Sequence, residues 1–87
     1  MPNIARTSIE LGRFLRAERR ARGRSQAWVA ERAGCRRQTI ADLEAGRNVA
    51  SHSLMAALAA LGKGVMIVDA RIDLERIAET FREDDDS

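Results

Sequence analysis

The 87-residue chain is poor in several residue types on which enzymes and secreted proteins depend, with one cysteine, one histidine, one proline and no tyrosine. A single cysteine excludes an intrachain disulfide and is typical of a reducing compartment, so we expect a cytoplasmic location. The histidine and the cysteine form no cluster with metal-ligand spacing, and the sequence has neither a glycine-rich phosphate loop nor a nucleophile-base motif. The sequence therefore predicts a protein that is not an enzyme and uses no cofactor or metal.

Long apolar runs are also missing. None approaches the ~20 residues that cross a bilayer, and the chain does not begin with a charged and then apolar signal, so we expect no membrane contact. Hydrophobic residues make up 45% of the chain, which is enough for one small core. The sequence divides into an N-terminal arm (1–7), a main domain (8–62), a following segment (63–82) and an acidic tail (83–87).

Acidic and basic residues nearly balance at a net charge of +2, but they are unevenly distributed. Nine arginines lie between residues 13 and 37, whereas residues 83–86 are all acidic. The basic region indicates contact with phosphate groups, and the acidic end has either another role or none beyond solvation.

A pair of short helices joined by a tight turn is predicted between residues 25 and 46. The first begins at Ser25, whose hydroxyl can accept N–H groups of the first turn, and runs without glycine or proline to Ala33. Gly34 ends it, because glycine adopts the left-handed conformation without steric cost. The second helix covers about 36–45. This helix-turn-helix pattern makes double-stranded DNA the leading partner.

The second of these helices has an apolar face and a polar face. Ile40 and Leu43 share the apolar face at helical spacing, and the polar side carries Arg37, Gln38 and Asp42. Arginine can pair with guanine, and glutamine with adenine, through two hydrogen bonds each. The polar face therefore predicts contacts with base edges, and the alternative is an ordinary solvated helix.

Residues on either side of this helix are candidates for phosphate contacts. Arg36 lies at its start, and the loop 46–50 after it contains Arg47 and Asn48. His52 follows, and it lies either near a phosphate or in solvent.

Two further helices complete the predicted bundle. One covers about 8–22, and its apolar face consists of Leu11, Phe14 and Leu15. The other covers about 52–61 and is capped by Ser51 or Ser53. Three of its residues point inward: Leu54, Leu58 and Leu61.

The run from Leu11 to Leu61 resembles the Xre/Cro-type DNA-binding domain. The similarity rests on a combination of short motifs: Ser25-Gln26, Val29-Ala30, Gly34, Thr39-Ile40, Leu43-Glu44-Ala45-Gly46 and Ala60-Leu61-Gly62. It implies an all-α, lambda-repressor-like helix-turn-helix bundle of four core helices. The helix that begins near Arg36 would enter the major groove.

The resemblance also implies roles for individual side chains. Gln26 would contact a phosphate. Arg19 and Glu44 would form a buried ion pair between the first and third helices, which serves the fold rather than DNA binding. Three residues would face base edges: Arg37, Gln38 and Asp42.

Two positions depart from the family's pattern. Arg24 replaces a residue that is usually apolar, which weakens a small core contact. Trp28 replaces an exposed polar residue, and it either serves a protein interface or packs along neighbouring side chains. Cys35 occupies a small apolar core position, so we interpret it as a buried hydrophobic residue rather than a reactive thiol.

The only apolar run rich in β-branched residues follows the bundle, and it consists of Val65, Met66, Ile67 and Val68. It predicts a strand, yet nothing else in the sequence resembles a second strand that could pair with it. Antiparallel pairing with the same strand of a second copy would produce a homodimer, which suits a palindromic operator. The alternative is a short buried extended segment without a partner.

A helix-turn-helix followed directly by this segment resembles the HipB-type antitoxins, with matches at Leu61, Gly62, Met66, Asp69 and Ala70. The resemblance implies dimerisation through paired strands, repression of the protein's own operon and binding of a kinase toxin of the HipA type. Beyond this point a C-terminal helix is predicted, capped by Asp73, with an apolar stripe of Leu74, Ile77, Ala78 and Phe81. The stripe would pack on the paired strands or bind the toxin.

The sequence therefore predicts a dimeric operator-binding repressor, with the antitoxin role preferred. A stand-alone phage-type or restriction-modification controller would need no toxin, so a toxin gene next door distinguishes these two. A third alternative is a protein-interaction module that keeps the helix-turn-helix only as a scaffold, and a salt-sensitive shift of promoter DNA would exclude it.

Overall fold

The computed structural model describes residues 4–69, and in this range the chain folds into four helices. They are α1 (Ser8–Ala21), α2 (Gln26–Ala33), α3 (Arg37–Glu44) and α4 (Ser51–Ala60). Each of the four helices predicted for the bundle is therefore present, and the ends differ from the predicted ones by one or two residues at most. The α1 helix packs on α3, and α2 packs on both α3 and α4.

The first two helices begin with side-chain caps. Ser25 Oγ accepts the backbone N–H of Trp28 at 3.0 Å, which confirms the predicted start of α2. At α1 the cap is Thr7, a residue that the sequence analysis did not single out. Its hydroxyl accepts the N–H of Glu10, and the Glu10 carboxylate accepts the N–H of Arg6. The arrangement resembles a capping box shifted by one residue, because the carboxylate accepts the N–H of Arg6 and not that of the capping residue Thr7. The spacing of Thr7 and Glu10 was an available signal for this helix start.

The predicted cap of α4 is wrong. The residue before the helix is Ala50, which has no side-chain oxygen, and Ser51 is already helical. A capping residue must lie outside the helix, with its oxygen turned back to the first N–H groups. Neither Ser51 nor Ser53 meets that condition, so burial of one face accounts for α4.

The turn between α2 and α3 has the predicted geometry. Gly34 ends α2 with φ 71° and ψ 33°, which is the left-handed conformation. The backbone N–H of Cys35 donates to the carbonyl of Ala30 at 3.0 Å and so closes the end of α2. Only two residues, Cys35 and Arg36, separate Gly34 from α3, so the two helices form the predicted helix-turn-helix.

One core joins all four helices. Its buried apolar members are Leu15, Val29, Ala30, Ile40, Leu43, Ala57, Leu58 and Leu61. Leu11 and Leu54 are half-buried and pack against this cluster, as their predicted inward direction requires. Phe14 stays partly exposed. Because Ile40 and Leu43 are both buried, the opposite side of α3 must face outward.

The two helices α1 and α3 approach each other closely at Gly12, which is buried. A Cβ atom added there would lie 2.5 Å from the carbonyl oxygen of Leu43 and 2.6 Å from that of Glu44. Both obstacles are backbone atoms, so they can yield only if one helix moves. Glycine at this position therefore sets the distance between α1 and α3.

We expect Gly12→Ala to destabilise the protein by about 1–3 kcal/mol, although alanine is the better helix former. The reason is the clash with the α3 backbone. Urea unfolding followed by circular dichroism measures the change. Gly64→Ala is the matched control, because a Cβ at Gly64 meets no atom within 4 Å and its effect should stay within about 0.5 kcal/mol. Equal stability of the two variants would contradict a tight contact at Gly12.

The segment after α4 contains no regular secondary structure between residues 63 and 69. Its apolar side chains are exposed, at 59% for Val65, 80% for Met66, 97% for Ile67 and 43% for Val68. The alternative of a buried extended segment is therefore wrong. The proposed pairing needs a second copy and stays a prediction. The predicted C-terminal helix and acidic tail lie outside the described residues.

Candidate nucleic-acid interface

The outward face of α3 presents the side chains that the sequence predicts to meet base edges. Arg37 and Gln38 are both exposed, whereas Asp42 is partly covered by its neighbours. Burial of Ile40 and Leu43 on the opposite face holds the helix in this orientation. The first turn of this eight-residue helix therefore exposes the guanidinium N–H donors of Arg37 and the side-chain amide of Gln38.

Asp42 is the centre of a small hydrogen-bonded cluster on this face. Its Oδ1 accepts a hydrogen bond from Gln38 Nε2 at 3.0 Å and another from Arg47 Nη1 at 3.1 Å. The backbone also contributes, because the N–H of Arg47 donates to the carbonyl of Asp42 at 2.9 Å. These contacts connect a predicted base contact, Gln38, with a predicted phosphate contact, Arg47.

Hydrogen bonds keep the Asp42 carboxyl ionised. The bond from Gln38 and then the bond from Arg47 lower the pKa of Asp42 below its ordinary value. The family resemblance implies a base contact for Asp42 and gives no indication of these two partners. The spacing of four residues between Gln38 and Asp42 was an available signal, since side chains at that distance are neighbours on a helix.

Arg19 and Glu44 form an ion pair between α1 and the end of α3. Arg19 Nε donates to Glu44 Oε2 at 2.6 Å, and Arg19 Nη2 donates to Oε1 at 3.0 Å. The side chains are only 12% and 6% exposed, respectively. Arg19 Nη1 also donates to the carbonyl of Arg24 at 2.8 Å. The Arg19 guanidinium therefore connects α1 with the end of α3 and with the segment before α2.

The environment of Glu44 favours its charged form. Burial alone would raise the pKa of Glu44, but hydrogen bonds from Arg19 and Gln26 and the positive charges of Arg19 and Arg16 outweigh burial. The pKa therefore lies below the ordinary value of 4.5. In turn, the hydrogen bond to Glu44 raises the pKa of Arg19. The pair is charged on both sides at neutral pH.

Gln26, the predicted phosphate contact at the start of α2, belongs to the same group. Its Nε2 donates to Glu44 Oε1 at 3.1 Å, so the ion pair also holds the Gln26 amide. This contact is not predictable from the sequence, because it depends on how α2 crosses α3. The start of α2 and the end of α3 are thus joined by one carboxylate.

The other predicted phosphate contacts lie at the two ends of α3. Arg36 precedes the helix, while Arg47 and Asn48 follow it, and all three are exposed. His52, in the first turn of α4, is exposed as well. The face therefore combines donors at the start of α3 with donors in the loop after it.

Trp28 packs within the protein. It is half-buried against the core, with Arg24 4.4 Å from the centre of its ring and Arg32 4.8 Å from it. The electron-rich faces of the ring attract both guanidinium groups electrostatically. The two departures from the family's pattern, Arg24 and Trp28, are therefore partners.

Cys35 is half-buried and packs against the core as well.

Within residues 4–69, no group of three or more histidine, cysteine or acidic side chains is placed to hold a metal ion. None of the helices found there combines the length and the apolar composition needed to span a membrane.

Comparisons with known proteins agree with this geometry. A family model described as "Helix-turn-helix domain" matches residues 10–62, which confirms the predicted domain type. A comparison with curated proteins finds no match. Similar solved structures include a complex of a HipB serine-to-alanine variant with the O2 20mer, at a TM-score of 0.75, and a complex of HipB with the O4 20mer, at 0.73. Each is 21% identical, and the match covers 82% of this chain and 100% of the other.

Proposed function

Because the chain belongs to the helix-turn-helix domain family, we propose that it is a sequence-specific DNA-binding repressor. The observation that carries this proposal is the exposed first turn of α3, where Arg37 and Gln38 stand side by side on a helix held by its buried opposite face. In the major groove, Arg37 would donate to guanine and Gln38 would pair with adenine.

Phosphate contacts would position α3 in the groove without reading sequence. The residues suited to this role surround the helix and can all donate hydrogen bonds: Gln26, Arg36, Arg47 and Asn48. One of them is already oriented by an internal contact, because Gln26 is bonded to the largely buried Glu44. Such preorganisation lowers the entropy that DNA binding must remove.

The protein would bind a palindromic operator as a homodimer. The support is the apolar segment of Val65, Met66, Ile67 and Val68, whose members are between 43% and 97% exposed within residues 4–69. Antiparallel pairing of this segment across a twofold axis would satisfy its backbone groups and place two α3 helices on two half-sites.

The finer proposal is that the repressor is the antitoxin of a toxin–antitoxin pair and binds a kinase-type toxin. It is supported by the HipB-like residues after α4, beginning with Leu61 and Gly62, and by the likeness of the fold to HipB. A protein of this kind would repress the genes for itself and its toxin.

Two experiments test the function. A gel shift with the DNA upstream of the gene, at low and high salt, should show a complex that weakens as salt rises. Co-purification with the product of the neighbouring gene tests the antitoxin role. A DNA shift without a bound partner would favour a stand-alone regulator, and the absence of any shift would favour a protein-interaction module.

We expect Arg37→Ala or Gln38→Ala to weaken binding to the selected operator by about 1–3 kcal/mol, with little effect on random duplexes. A lost base contact matters only where the matching base is present. Fluorescence anisotropy with labelled duplexes measures both affinities.

The neighbouring Arg36→Ala provides the matched control, since Arg36 is proposed to contact a phosphate. It should weaken all duplexes alike and reduce the slope of log K against log salt by about 0.9. If Arg37→Ala instead behaved as Arg36→Ala does, Arg37 would be a phosphate contact.

A further inference from the structure

The cluster around Asp42 restricts what Gln38 can offer to a ligand. A carboxylate has only acceptor atoms, so the Gln38 amide must turn its Nε2 toward Asp42, as the 3.0 Å contact shows. One N–H of the amide is thereby used. Within the described residues, the second N–H and the carbonyl oxygen of Gln38 have no other protein partner.

Asp42 itself is held in place by Arg47. The guanidinium donates to the same Oδ1 that Gln38 uses, and the Arg47 backbone N–H donates to the Asp42 carbonyl. The carboxylate is thus anchored from the loop, and it can act as a fixed acceptor for the Gln38 amide.

One donor beside one acceptor is the pattern that adenine complements in the major groove, because adenine offers N7 as acceptor and the N6 amino group as donor. Guanine offers two acceptors, N7 and O6, so the Gln38 oxygen would face one of them. Without the Asp42 contact, the Gln38 amide could donate both of its N–H groups to the base, and it could then bind guanine as well as adenine.

We propose that Asp42 is a positioning residue that makes Gln38 a reader of adenine rather than of either purine. This inference rests on the proposed DNA binding and assigns Asp42 a role different from the direct base contact implied by the family resemblance. Asp42 would determine specificity through Gln38, without contributing to affinity. A carboxylate on a face that meets phosphates instead weakens binding of any duplex.

The test begins with selection of duplexes from a randomised library by the wild-type protein. The selected duplex and its single A·T to G·C changes are then titrated with each variant. For Gln38→Ala, the adenine preference at one position per half-site should disappear. For Asp42→Ala, the preference for adenine over guanine at that same position should fall from about tenfold or more to under about threefold.

Two further measurements separate positioning from a general structural effect. Asp42→Asn keeps an acceptor oxygen for Gln38 and Arg47, so it should retain most of the preference. Random duplexes should bind Asp42→Ala as well as the wild type or better, because a negative charge is removed.

The outcomes also separate this inference from the proposed function. Selection of no sequence by the wild-type protein would overturn both. A selected operator whose adenine preference survives in Asp42→Ala would overturn the positioning role alone. A changed preference at a cytosine in Asp42→Ala would also overturn the positioning role, because a carboxylate that accepts from the cytosine amino group is a direct base contact.

Discussion

The Ile67→Pro or Met66→Pro variant should be monomeric at concentrations at which the wild-type protein forms the proposed dimer. Proline has no N–H, and in an antiparallel pair alternate residues of a strand donate to the partner. In the proposed strand pair, one of these two neighbouring positions must therefore lose a hydrogen bond between strands. The helix-turn-helix is separate in sequence, so each monomer should keep its fold and its α3 helix.

Operator affinity should fall by about 100-fold or more in the monomeric variant, although only one or two hydrogen bonds are lost. A dimer that has bound one half-site holds its second α3 helix at a high effective concentration near the other half-site, and separate monomers lose this gain. Sedimentation gives the oligomeric state, and gel shifts on full and half operators give the affinities.

The matched control is Ile67→Thr, which keeps the N–H and the β-branched shape and should stay dimeric. Affinity for a half operator should be similar in all variants, because the recognition helix is untouched. Dimers that persist in both proline variants, with normal binding to the full operator, would place the interface elsewhere.

The Glu44→Gln variant should be about 3 kcal/mol less stable than the wild type, because it leaves the Arg19 charge buried without a counter-charge. In a domain of this size the midpoint of thermal unfolding should fall by roughly 10–20 °C. Circular dichroism during heating measures the change. The loss is large because Glu44 accepts hydrogen bonds from both Arg19 and Gln26, which belong to different helices.

Glu18→Gln is the matched control, since Glu18 also faces a cation. Its Oε2 lies 3.7 Å from Lys63 Nζ, and both side chains are nearly half exposed. The change should therefore be under about 1 kcal/mol. Replacement of the whole buried pair, as in Arg19→Met with Glu44→Leu, should recover much of the stability lost in Glu44→Gln. Equal losses of stability in Glu18→Gln and Glu44→Gln would show that the buried ion pair stabilises the fold no more than the exposed one does.

The pH dependence of the free energy of unfolding tests the role of the Glu44 carboxylate independently. Its pKa is lowered from 4.5 on folding, so the folded state binds a proton less readily than the unfolded state does. The stabilisation is present above about pH 4.5 and is lost as the pH falls through the lowered pKa. The difference in stability between the wild type and Glu44→Gln should therefore shrink in this acidic range.

The sequence by itself determined the helices and the turn, because these depend on local interactions. Ser25 can cap only the residues just after it, Gly34 can adopt the left-handed conformation that ends α2, and apolar spacing decides which side of a helix is buried. The inward direction of Ile40 and Leu43 follows from that spacing alone. So does the outward direction of Arg37 and Gln38, which is the basis of the proposed function.

Only the tertiary structure decided which side chains meet across helices. The bond between Gln26 and Glu44 and the close approach at Gly12 depend on the distance and angle between helices, which no local pattern records. The contacts of Trp28 are local instead, because Arg32 lies four residues further along the same helix and Arg24 lies four residues before Trp28. The cluster at Asp42 is an intermediate case: its contact with Gln38 follows helical spacing, whereas its contact with Arg47 required the turn after α3 to bring the loop back.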